Sequence, residues 1–316
     1  MKPPPEGLLF VGGMDDARAE GAMRRLGLVV LKPVDALMFP RTRLGVAVLD
    51  PDAFGVDAVK SITRAAETLG ETPLVLLSGA RERSELAQLV EIPSLAGLVA
   101  RDHVSSDDEL ERALRALTTG LPPGLEPHVT GGAASPPFAR SVPSSQDRDE
   151  LLAALEEYLG ERGVRARIAG IVIDACEELL TNALYDAPTD ADGRHIYAEV
   201  DRRHAIFLAG GSRPEVRATV TNGEVVASVR DPFGSLELAA VRRWLAKGLG
   251  AHDDQLDDTK KGGAGLGLAR VFAMVDRLSI RVRPGAETEV VFAVATKGAR
   301  RDMAARPTGL LLKRDG

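Results

Sequence analysis

Glu178 and Asn182 stand four residues apart in a stretch, 168–184, whose apolar residues recur at helical spacing. Their side chains therefore leave one face of a helix about one turn apart. A carboxylate in that position can act as a general base. An amide oxygen can complete the shell of Mg2+, which prefers hard oxygen ligands and keeps several waters. Taken alone, the two residues read equally as an exposed polar pair on an amphipathic helix. Asp231 follows 225–230, an apolar run rich in β-branched residues that predicts a buried strand, and Pro232 stops the ladder at once. Gly262, Gly263, Gly265 and Gly267 supply unhindered backbone N–H groups where a loop meets a helix predicted over 266–278. That arrangement receives phosphates at a helix N-terminus. A surface loop is the plainer reading of the glycines, since Gly-x-Gly-x-x-Gly and the Gly-Lys-Ser/Thr ending of a P-loop are both absent. Lys260 and Lys261 stand within reach of phosphates, or are simply solvated.

In this order and at these separations, Glu178-Leu179-Leu180-Thr181-Asn182, Asp231-Pro232-Phe233-Gly234 and the glycine run 262–267 resemble the N box and the two glycine boxes of the GHKL ATPase superfamily. Gyrase, histidine kinases and MutL belong to that superfamily, and the resemblance covers residues 148–296. It implies a Bergerat-type α/β sandwich with a mixed sheet, binding ATP or ADP with Mg2+. Carried over residue by residue, it implies Glu178 as base, Asn182 on the metal and Asp231 accepting from the adenine amino group. Lys261, Gly263, Gly265, Leu266 and Gly267 would then stand at the phosphates. Where the family has Asp-x-Gly this chain has Phe233, with Gly234 next, so Phe233 is expected to stack on the base or pack beneath it.

The elements that must position these groups fall into two folding units around a Pro-, Gly- and Ser-rich stretch, 120–146, that reads as a linker. Before it, in 1–119, apolar runs at 8–11, 28–31, 45–49, 74–77 and 95–99 alternate with polar or amphipathic stretches, and 107–117 closes as a helix. Continuous apolar strands separated by helices predict a doubly wound parallel five-stranded sheet. The order resembles a response-regulator receiver. That resemblance puts Asp50 at the phosphoacceptor position and Ser78 at the hydroxyl, with Arg101 in place of the lysine. Gly12 and Gly13 stand where an acidic pair is expected, with Asp15 and Asp16 shortly after. A site without those carboxylates lacks most of its Mg2+ ligands, so the receiver reads as degenerate, and Asp50 reads as a turn-forming aspartate before Pro51.

After the linker, 147–298 is expected to hold the GHKL domain, so the chain combines α/β and α+β units. The reading is a helix over 148–162, a break at Gly163-Val164, then the helix into the N box. The segment 196–213 exceeds what a minimal domain needs. A hairpin follows around Thr221-Asn222-Gly223. A lid over 236–261 carries a helix at 238–249 and an acidic run at 252–258. A second hairpin turns at Pro284-Gly285, and 299–316 reads as a loosely held tail.

Composition bounds the function. The chain has 316 residues, 44% of them hydrophobic, without an apolar run long enough to span a bilayer, and no secretory signal is visible at residues 1–7. A single cysteine, Cys176, excludes a disulfide framework or a cysteine zinc cluster within the chain. These features point to a cytoplasmic protein without a membrane partner. A formal net charge of −6 argues against nucleic-acid binding, which draws on neutralised phosphates. None of His103, His128, His195, His204 and His252 lies in a His-Glu/Asp box, and one helix alone precedes the N box, which argues against a histidine autokinase. The order of elements more closely resembles bacterial anti-sigma-factor serine kinases. That resemblance implies phosphoryl transfer from MgATP to a serine or threonine of an anti-anti-sigma-like partner, and a homodimer is compatible with it. The alternative of another class is a non-enzymatic, nucleotide-dependent interaction module with a pseudo-receiver.

Overall fold

The computed structural model describes residues 7–11, 21, 25–26, 29–31, 44–79, 81–100, 106–118, 120, 122–129, 135–221, 223–250, 266–297 and 308–315. In chain order these form β1 (Gly7–Val11), β2 (Val29–Leu31), β3 (Leu44–Leu49), α1 (Ala58–Leu69), β4 (Leu74–Ser78), α2 (Arg83–Val90), β5 (Leu95–Ala100) and α3 (Ser106–Thr118). They continue as β6 (Phe138–Ser141), α4 (Arg148–Glu161), α5 (Ala166–Thr181), β7 (Glu215–Val220), β8 (Glu224–Asp231), α6 (Leu238–Gly250), α7 (Leu266–Met274), β9 (Arg277–Arg283), β10 (Glu287–Ala295) and β11 (Gly309–Arg314). The architecture is mixed α/β in two compact units. Among the described residues no helix is long and apolar enough to cross a membrane.

In the first unit, β1 to β5 pair in parallel in the order β2-β1-β3-β4-β5. The order reverses between β1 and β3, where doubly wound sheets place their crevice. Val46, Val48, Val75, Leu77 and Val99 are buried against Leu110, Ala113 and Leu114 of α3. Their alternates Ala47, Leu49, Leu74 and Leu76 are as fully buried. Both faces of the sheet are thus covered, which is why these strands read as unbroken apolar runs.

The expected loose tail is corrected here. β11 runs antiparallel to β5, with Leu310 opposite Leu98 and Leu311 opposite Gly97, and Leu310, Leu311 and Leu312 are buried. Three leucines followed by charged residues carry no strand period of their own. Pairing with the open edge of β5 is what makes the segment a strand.

In the second unit the sheet order is β9-β10-β8-β7-β6, and every pair is antiparallel. A mixed sheet was expected of this domain. The short connections at Gly223 and at Pro284-Gly285 close hairpins, and hairpins make antiparallel neighbours. Helix α5 packs on β8 and β10, α4 on α5 and β6, and α7 on α5 and α6.

Much of the expected linker belongs to this unit. Phe138–Ser141 pairs with β7, and Phe138 stacks at a tilt on Tyr158 of α4 with centroids 5.5 Å apart. Leu125 is buried on Val226, Val291 and Ala293. Gly124 N–H donates to both carboxylate oxygens of the buried Glu289, at 3.0 and 3.2 Å. Proline and glycine hid these contacts because β6 is a short edge strand, where a missing ladder donor on its flank costs little.

Two local differences bear on the site. The helix expected over 266–278 ends at Met274: Asp276 N–H donates to Ala293 O at 2.9 Å, and Asp276 Oδ2 accepts Ala295 N–H at 2.7 Å. Asp276 therefore turns the chain into β9, where Leu278 is buried. At the other end of the core, α5 continues as a π turn over Asn182–Asp186, closed by Ala187 N–H donating to Asn182 O at 2.9 Å. Single π turns inside helices frequently mark functional positions.

Candidate functional site

A cavity of about 260 Å3 opens in the second unit, lined by residues of α5, β8, β10, α6, α7 and the segment after α5. Its floor is Val229 and Asp231 of β8 with Val290 and Thr288 of β10, which the antiparallel register sets side by side. Leu179, Asn182, Ala183 and Asp186 form one wall, at the i, i+3, i+4, i+7 spacing of a single helical face. Trp244 of α6 and Leu268 of α7 also line the cavity. Most of the lining is apolar with a few polar groups converging on it, as in small-molecule sites, which run about 300–1,000 Å3.

Asp231 is the most perturbed polar group in this cavity. Burial pushes its pKa up to about 6, against the N–H groups of Phe233 and Gly234 and the hydroxyl and N–H of Thr288, which pull it down. Asp231 Oδ1 accepts from Phe233 N at 2.9 Å and from Gly234 N at 3.3 Å. The aspartate thus folds its own exit turn while facing the cavity. Asp186 is also raised by burial, with Arg202 and His195 opposing the shift.

Of the residues singled out in the sequence, Asn182 and Asp231 meet in this cavity. Phe233 and Gly234 are not among the residues that line it. The turn after Asp231 leads Gly234 onto the β9–β10 hairpin: Gly285 N–H donates to Gly234 O at 3.2 Å. Gly234 has φ +62°, and a Cβ there would strike Arg283 O and stand 2.8 Å from Ala286 N. Glycine is required at this position by the hairpin.

Glu178 lies one turn before Asn182, outside the cavity lining. Arg270 Nη1 donates to its Oε1 at 2.7 Å, and its other oxygen fills the space above Gly267 that a Cβ would need. The N-box helix and the end of the glycine run therefore touch, through residues 89 positions apart in sequence. Leu266 begins α7; its side chain, Lys260, Lys261, Gly262, Gly263, Gly265 and the acidic run 252–258 lie outside the described residues. Thr288, Trp244 and Asp186 line the cavity without having been singled out. Thr288 becomes visible once strand register sets it opposite Asp231. Asp186 had a signal, since it continues the Glu178–Asn182 spacing by one more turn. Cys176, on the same helix, is fully buried and its thiol is pushed up to about 12, so it takes no part in chemistry at neutral pH.

In the first unit, Asp50 and Ser78 are both buried at the carboxyl ends of the neighbouring strands β3 and β4. Asp50 Oδ1 accepts Asp52 N–H at 2.9 Å and caps the 3-10 turn Pro51–Asp57, the turn-forming role expected before Pro51. Ser78 donates to Gly79 O at 3.0 Å. Arg81 pairs with Asp52 and with Glu85. Arg101, Gly12, Gly13, Asp15 and Asp16 lie outside the described residues.

In comparisons with known proteins, no family model matches the chain and no curated protein matches its sequence. The assignment of an activity thus rests on the residues of the site.

Proposed function

We propose that the second unit is a GHKL-type nucleotide site that binds ATP or ADP with Mg2+ and transfers the γ-phosphoryl group to a serine or threonine of a partner protein. The observation that carries this reading is the meeting of Asp231 and Asn182 in one largely apolar cavity. A buried carboxylate at a strand end suits an adenine amino group, which must find an acceptor when it leaves water. Apolar walls from Val229, Val290 and Leu268 suit the faces of a base.

The residues present fit Mg2+ brought in by phosphates. Among the described residues no group of three or more His, Cys, Asp or Glu side chains could hold a metal. Asn182 offers one hard oxygen, which is what an ion retaining waters and phosphate oxygens needs from the chain. When bound, Mg2+ supplies neutralisation of phosphate charge. Glu178 then takes the proton of the attacking hydroxyl, whose oxygen bonds to the γ-phosphorus as the bond to the ADP oxygen breaks. The first unit acts as a degenerate receiver and docking surface, with Asp50 in a capping role. In the resembled kinases the partner is an anti-anti-sigma-like protein.

The ion pair of Glu178 with Arg270 favours a second reading, in which the base is held back and the domain is a nucleotide-dependent switch. Radiolabel transfer from ATP to proteins of the native host separates the two. Transfer by wild type that is lost in Glu178→Ala supports the kinase; no transfer by wild type supports the switch, and robust transfer by Glu178→Ala contradicts Glu178 as base.

A further inference from the structure

The segment between α5 and β7 supplies part of the cavity wall through His195 and Ala198. Its first part is a closed loop. Thr189 bridges to His195 across it, Asp190 N–H donates to Arg194 O at 2.9 Å, and Ile196 N–H donates to Pro188 O at 3.0 Å. Asp190 Oδ1 accepts the N–H groups of Asp192 and Arg194, both at 2.9 Å, and Gly193 takes the positive φ the tip requires.

The loop is also anchored to the site. Ser235, four residues past Asp231, donates its hydroxyl to Ala187 O at 2.7 Å. Arg202 pairs with Asp186 at 3.3 Å, and Tyr185 Oη lies 2.8 Å from His204 O and 3.0 Å from Arg202 O. A histidine carried on a surface loop with no partner of its own would have no fixed place. This one is held at the mouth of the cavity by backbone bonds on both sides of it.

Its place along the cavity can be read from the helix. Glu178, against Gly267, marks the glycine end. Asp186 lies eight residues further along the same helix and its π turn, with Asn182 midway, and His195 is at the Asp186 end. We propose that His195 contacts the base-and-sugar end of the bound nucleotide, with the loop 188–196 as the element that positions it and Asp190 as its positioning residue. The imidazole offers a planar face to a base and ring nitrogens to sugar hydroxyls. This inference rests on the nucleotide-site reading above. It departs from the default role of a histidine near a nucleotide, which is to meet phosphate.

The test is calorimetry of the full chain with adenosine, ADP and ATP in Mg2+, for wild type, His195→Ala, Asp190→Ala and Asp190→Asn. His195→Ala is expected to weaken all three ligands by one common factor of about threefold to tenfold, the worth of a single hydrogen bond or ring contact. Its melting temperature should stay unchanged, because His195 is exposed. Asp190→Ala should reproduce the loss, and Asp190→Asn should restore binding, since an amide oxygen still accepts both N–H groups. A loss for ATP that exceeds the loss for adenosine would place His195 at the phosphates and overturn the proposal. Unaltered affinities in His195→Ala, or an Asp190→Ala variant equal to wild type, would overturn the contact or its positioning respectively. Wild type that binds none of the three ligands contradicts the nucleotide-site reading itself, an outcome distinct from either.

Discussion

The carboxylate of Glu178 occupies the space that a side chain at Gly267 would need. Two segments far apart in sequence are complementary at this point, one supplying an acid and the other supplying room for it. Arg270, one turn further along α7, completes the enclosure.

Gly267→Ala should therefore move the acid without unfolding the protein. The atom in the way is the end of a flexible side chain, which can give way without moving backbone. Thermal melting should shift little while phosphoryl transfer falls toward the level of Glu178→Ala. Transfer at the wild-type rate in a folded Gly267→Ala would show that the position of the acid does not matter.

Gly234→Ala is expected to behave in the opposite way. Its Cβ would meet backbone atoms of Arg283, Ala286 and Glu287, which cannot swing aside, and the residue must keep a positive φ. A loss of about 1–3 kcal/mol follows from strain and overpacking. Denaturant unfolding of the second unit reads it, and unchanged stability would mean the hairpin does not seat on this turn.

Leu310→Ala probes the strand that closes the first unit. A leucine as buried as this one costs about 2–5 kcal/mol on truncation to alanine, depending on how far the site collapses. Hydrogen exchange at β5 should rise with it. Protection of β5 equal to wild type would show that β11 adds nothing to the sheet.

Asp231 predicts a pH dependence with two opposite signs. Its pKa is raised by burial to about 6, so the fold gains from its protonation as pH falls through 6, and that contribution is lost as pH rises through the same range. The ionised carboxylate is the stronger hydrogen-bond acceptor, so ATP affinity should rise from pH 5 to pH 7 while this contribution to stability declines. Asp231→Asn, which does not titrate, should flatten the Asp231 component of both profiles. Parallel titration and melting series between these pH values check it; affinity that falls across the range would contradict the assignment.

Element types were legible wherever burial was carried by the local pattern. Val46 to Leu49 and Leu74 to Leu77 are apolar because both faces of their sheet are covered, and the spacing of α5 reflects the one face it buries. Asp231 was legible because a strand ends at a proline. What escaped were partners chosen by distant chain: β11 recruited by β5, β6 hidden among prolines, and Thr288, which acquires meaning through its register with Asp231.

On the proposed reading Asp231 holds an adenine base in this cavity, and the chain's single tryptophan, Trp244, lines the same cavity as a reporter. Titration of ATP in Mg2+ at pH 7.5, followed by Trp244 fluorescence and by calorimetry, should saturate with wild type. Asp231→Ala, folded by its melting curve, should lose about tenfold to hundredfold in affinity, corresponding to the removal of one buried charged acceptor. Equal ATP affinity in the two proteins, or no saturable binding by wild type, would contradict it.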